Sequence, residues 1–128
     1  MLPIGLALRA AGHPVNVYGE LVVQTVLGQV YPWALLVEHS LISWSLAWPL
    51  VWLLRYRPQT SSFGLGLAYG AAIWVVVNSL ALPAVFGRPT PWQMGWPAIW
   101  PSLTVHLVYG VMAALVARRL HPSTAVRE

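Results

Sequence analysis

Residues 63–86 read FGLGLAYGAAIWVVVNSLALPAVF, twenty-four positions without a charged side chain. At 1.5 Å of rise per residue a helix of that length is about 36 Å long, enough to cross a hydrocarbon core of about 30 Å. The stretch is therefore expected to span a membrane. Asn78 is its one amide, and Gly66 and Gly70 stand in G-x-x-x-G spacing. Lipid offers neither an amide partner nor any reward for a flat glycine face, so both features predict neighbouring helices.

The rest of the composition agrees. Of 128 residues, 58% are hydrophobic and only 8% are charged, values of a membrane-embedded chain and not of a soluble domain. Cysteine is missing, which excludes disulfides, thiolate chemistry and cysteine-held metal clusters. All seven basic residues are arginine, and the only acids are Glu20, Glu38 and Glu128. No basic face follows a phosphate backbone, so nucleic acid is not an expected partner. With no aspartate, no G-x-S-x-G, no H-E-x-x-H and no phosphate-binding glycine loop, the chain is not expected to be an enzyme. The first fourteen residues lack a basic leader, and Arg9 occupies the place of a small-residue cleavage site, so no cleaved signal peptide is expected.

Outward from the central stretch, residues 34–54 form a second span, closed by Arg55 and Arg57. Trp44, Trp48 and Trp52 lie on one stripe of it, His39 and Ser43 on another, and Pro49 predicts a modest kink. Residues 102–120 form a third span with His106, Gly110, Ala114 and Ala117 on a narrow small-residue side, ending in Arg118 and Arg119. Between the second and third apolar stretches, residues 87–101 hold four prolines, two glycines and three tryptophans, the composition of a structured loop. Trp92, Trp96 and Trp100, joined by Trp33, predict an aromatic belt at one membrane face.

Residues 1–33 are set apart as an N-terminal unit. From Val15 to Tyr31, Asn16, Glu20, Gln24 and Gly28 follow one another at i, i+4, with Leu21, Val22, Val26 and Val30 elsewhere, an amphipathic helix that either lies in the interface or crosses as a fourth span. The expected architecture is thus an all-α membrane bundle over residues 34–120, with three spans or four, and a disordered tail over 121–128. Arg55, Arg57, Arg118, Arg119 and Arg127 share one end and Arg88 the other, which points the first group and the C-terminus to the cytoplasm.

Counted from the non-cytoplasmic ends of their helices, Glu38, His39, His106 and Asn78 fall at similar depth, about 6 to 12 Å down. Ionisable groups within spans usually face a bundle interior or a wet cavity beside a partner. These four are the candidate site, a polar layer able to take up protons because imidazole ordinarily titrates near pH 6.5. Two further readings stay open: plain interhelical hydrogen bonding, and a haem held between His39 and His106. Gly66, Gly70, Gly110 and Ala114 are the expected helix-packing positions. No metal site is expected, since the histidines are not closely spaced.

Several segments also form a pattern: Gly64 to Gly70, then Pro83, Gly87 and Pro91 around a turn, then Trp96, then His106-Leu107-Val108, with Gly28 to Trp33 and His39 upstream. Together they resemble the YagU family of bacterial inner-membrane proteins over about residues 28–119. The chain departs from that pattern in its shorter length and in Gln29, where the family pattern has a histidine. The resemblance implies a multi-pass inner-membrane protein connected with acid resistance, with no settled molecular activity; the expected partners are the lipid bilayer and either further copies of the chain in a homo-oligomer or the subunits of a larger membrane complex. An alternative from a different class is an accessory subunit that packs its glycine faces and tryptophans against a larger respiratory or photosynthetic complex.

Overall fold

The computed structural model describes residues 2–13, 15, 17–56 and 61–120. Its elements are helices α1 (Leu2–Ala10), α2 (Val17–Leu27), α3 (Pro32–Tyr56) and α4 (Ser62–Ile73), a π-helical segment (Trp74–Ala81), then α5 (Leu82–Phe86), α6 (Pro91–Met94) and α7 (Trp96–Leu120). Among the described residues there is no strand, and the fold is an all-α bundle. The α4, π and α5 segments run on as one 25-residue helix, Ser62–Phe86. Among the described residues, that helix, α3 and α7 are the three long and apolar enough to cross a membrane.

The bundle is built on the pairing of α4 with α7. Gly66 and Gly70 face Gly110 and the backbone at His106 so closely that a Cβ on Gly66 would lie 2.6 Å from the Gly110 carbonyl oxygen, and one on Gly70 or Gly110 would come closer still. Only hydrogen in place of a side chain permits that approach, and dispersion between two backbones is what holds helices together where lipid removes the hydrophobic drive. Towards the arginine end, Leu50 and Leu54 of α3 close over Ala114 and Ala117 of α7, with Leu65 and Tyr69 beside them. Arg118 ties this end together. Its Nε donates to Ser62 Oγ at 3.1 Å and its Nη1 to the Leu54 carbonyl at 3.3 Å, so one guanidinium joins α3, α4 and α7.

Higher in the bundle α3 is attached differently. The Tyr69 hydroxyl donates to the Leu46 carbonyl, and the Tyr109 hydroxyl to that of Ser43. The opposite face of α3 stays bare, with Trp44 and Trp48 each about three-quarters exposed. That is the tryptophan stripe legible in the sequence.

Three expectations need adjusting. The loop expected over 87–101 is largely helical: a capping box at Thr90 and Gln93 starts α6, Gly95 at φ 85° ends it, and α7 begins at Trp96, six residues before Ser102. Prolines read as loop-formers fit because Pro97 lies in the first turn, where no N–H is required, and the carbonyl bond that Pro101 forfeits belongs to that same exposed turn. Second, α3 starts at Pro32, two residues ahead of the expected span over 34–54, so Trp33 lies in its first turn. Third, the N-terminal unit is two short helices. At eleven residues α2 is about 16 Å long. It buries Gly19 and Val23, whereas Val26, assigned to the apolar face, is 73% exposed. Asn16, Arg57 and the tail 121–128 lie outside the described residues.

Candidate functional site

Where α4 and α7 are glycine-tight the helices touch; beyond Gly70 they diverge. The chemistry of the sequence explains the change. Pro83 has no N–H to give, and its ring crowds the carbonyl four residues back. Upstream of it the helix widens into the eight-residue π segment, in which Leu82 N–H donates to Val77 oxygen, five residues behind. Trp74, at the start of the wide turns, is buried and reaches across to α7, where its Nε1 donates to Ser102 Oγ at 2.8 Å. Ser102 Oγ in turn lies 3.0 Å from the Ala98 carbonyl, the acceptor for its own proton.

The separated walls enclose a cavity of about 350 Å³. Glu38, His39 and Ser43 of α3 line it, with Asn78 of the π segment and Ser102 and His106 of α7; all four members of the expected polar layer are therefore on its wall. Most of the remaining lining is valine, leucine and isoleucine, and α1 and α2 contribute Arg9 and Tyr18.

Individual groups differ in how they are satisfied. His106 Nδ1 is 2.7 Å from the Ser102 carbonyl oxygen. A carbonyl can only accept, so Nδ1 carries the hydrogen and Nε2 is left as the basic nitrogen. His39 and His106 line the same cavity from α3 and α7. Glu38 Oε2 is buried with no hydrogen-bond partner. So is Ser79 Oγ, in the π segment, on a residue that is wholly enclosed.

The short N-terminal helices fold against this end of the bundle. Arg9 forms an ion pair with Glu20 at 2.5 Å. His13 sits edge-on to Trp100, centroids 4.6 Å apart, and Tyr18 stacks on Phe86 at 6.1 Å. Burial pushes the Tyr18 phenol above its ordinary range, opposed by the nearby charge of Arg88. The tryptophans named as a belt divide accordingly. Trp33 and Trp96 are 60% and 67% exposed, whereas Trp100 is half-buried against His13 and Trp92 packs edge-on against Trp74.

Among the described residues no group of three or more histidine, cysteine, aspartate or glutamate side chains is placed to hold a metal ion. Of the lining residues that the polar layer omitted, Ser43 and Ser102 were legible, each one helical turn from a histidine on the same face. Arg9 had no such signal. Comparison of the chain with family models, curated proteins and solved structures found no match.

Proposed function

We propose that the chain is a non-enzymatic, multi-pass protein of a bacterial inner membrane that contributes to acid tolerance by taking up protons in the cavity. His106 is the primary acceptor and His39 the second, with Glu38 and Asn78 completing the polar wall. The observation that carries this reading is the fixed tautomer of His106: with Nδ1 committed to the Ser102 carbonyl, Nε2 is held ready to accept a proton. The resemblance of residues 28–119 to the YagU family supports the connection with acid.

Arginine placement supports the orientation. Arg55, Arg118 and Arg119 lie at the end of the bundle opposite the cavity, so the C-terminus faces the cytoplasm and the cavity faces out. The test is replacement of both histidines, His39→Ala with His106→Asn, followed by survival of cells after an acid shift. Survival should fall; unchanged survival with normal membrane levels contradicts the role.

The bare tryptophan face of α3 favours a second reading, an accessory subunit seated against a larger respiratory or photosynthetic complex. Extraction in mild detergent separates the two, since co-migration with a large complex supports the subunit and a small homo-oligomer supports the first reading. A haem absorption band in the purified protein would assign His39 and His106 to a different task.

A further inference from the structure

The cavity wall has an imbalance of hydrogen-bonding groups. Its fixed positive charge, Arg9, is engaged by Glu20 at 2.5 Å. Beside it, Glu38 Oε2 is buried without a partner, and His106 has its one N–H spent on the Ser102 carbonyl. Asn78 adds an amide with both an acceptor and a donor end, His39, Ser43 and Tyr18 add one donor each, and the remaining wall is largely aliphatic. A volume of about 350 Å³ is within the range of small-molecule pockets, which typically combine apolar walls with a few placed polar groups.

We propose that the cavity is a binding site for a small apolar molecule carrying a protonated amine, whose N–H groups are received by Glu38 with Asn78 and His106 beside it. The proposal deepens the preceding reading, on whose cavity it rests, by naming the class of ligand. Each alternative class leaves something unmet. A neutral hydrophobe leaves Glu38 Oε2 unpartnered. An anion finds Arg9, the arginine of the described lining, already paired with Glu20. A sugar or nucleotide needs many more hydrogen-bonding groups than this wall supplies. An ammonium satisfies the carboxylate with a charge-assisted bond while its apolar body covers the valines and leucines.

Occupancy is coupled to acidity. The titratable and charged groups around the site are Arg9 from α1, Tyr18 from α2 with the charge of Arg88 near its phenol, Glu38 and His39 from α3, and His106 from α7; Glu20 of α2 is held by Arg9. Protonation of either imidazole places a cation beside the ammonium, and protonation of Glu38 removes its counter-charge. Acid therefore expels the amine, and the amine in turn opposes proton uptake.

The experiment measures binding of benzylamine, benzyl alcohol and benzoate to the full chain in nanodiscs by calorimetry at pH 7.5, with empty nanodiscs as reference. Benzylamine should bind at least about tenfold more tightly than the alcohol, since both can donate to the carboxylate but only the ammonium adds attraction between opposite charges. Benzoate should bind most weakly. Glu38→Gln should erase the preference, and so should lowering the pH to 5.5 in the unaltered chain, which keeps the test independent of whether the variant folds. Equal binding of amine and alcohol, no saturable binding by any of the three, or a preference that survives in a folded Glu38→Gln protein each overturns the assignment. Of these results only the pH 5.5 arm bears on proton uptake, which the double-histidine variant tests separately, so the ligand class and the proton reading can fail independently.

Discussion

The two halves of the bundle are made from the same three long helices yet are packed in opposite ways. In the arginine half, glycine and alanine let α4 and α7 meet backbone to backbone, leucines of α3 fill the remaining angle, and Arg118 closes the end. In the other half, prolines and the π segment hold the helices apart, and the space between them carries an unpaired carboxylate oxygen, two imidazoles and an amide. A membrane bundle gains little from merely excluding lipid, so close contact is what stabilises it. The difference teaches that one half supplies the contact and the other is released from that duty.

The largest expected effect is therefore at the glycine contact. Gly110→Leu or Gly70→Leu must push α4 from α7, because even a Cβ collides with backbone there and backbone cannot turn aside. Overpacking of this kind costs about 1 to 3 kcal/mol or more. Thermal unfolding in detergent should show a strongly destabilised protein; a variant as stable as the parent would mean that the helices do not cross at these glycines. Next is Arg118→Ala, which removes donors to Ser62 and to the Leu54 carbonyl, at about 1 to 2 kcal/mol discounted for partial exposure. The same unfolding assay reads it, and the cavity half should keep its ligand preference.

A smaller effect is expected where α3 hangs from phenols. Tyr109→Phe loses the bond to the Ser43 carbonyl, and hydrogen bonds between membrane helices average about 0.6 kcal/mol. A loss above about 2 kcal/mol would show that α3 depends on that hydroxyl far more than such bonds usually allow. The smallest concerns the N-terminal helices. Tyr18 has a folded-state pKa above its ordinary 10.0, so its contribution is complete below pH 10 and is lost as pH rises through the raised value. Protection of α2 amides, taken relative to their base-catalysed intrinsic exchange rates, should fall in that alkaline window, while protection in α7 is unchanged.

How much of this was legible in the sequence differs between the halves for physical reasons. Gly66, Gly70, Gly110 and Ala114 could be read as packing residues because helix periodicity and the absence of a side chain suffice to put a small face somewhere. Counting rise per residue put Glu38, His39, Asn78 and His106 at a similar level, and the four do line one cavity, though α3 and α7 begin earlier than the ends from which they were counted. Direction and spacing were harder. The π segment changes how far the chain turns at each residue, and no composition signal separates Trp74–Ala81 from an ordinary helix except the proline that follows. The loop over 87–101 was misjudged because proline is equally at home in a loop and in the first turn of a helix, and the two cases differ only in where the neighbouring N–H groups go. Arg9 reaches the cavity through a folded-back N-terminus, a tertiary event that no local pattern encodes.

The central claim is that residues from three separate helices share one internal space. Because the chain has no native cysteine, the direct measurement is cross-linking of a His39→Cys, His106→Cys double variant in membranes with a short bifunctional thiol reagent, against a Trp44→Cys, His106→Cys control. The account predicts an efficient intramolecular link for the first pair and none for the second, whose tryptophan lies on the bare outer face. A link in the control alone, or in neither, would contradict it.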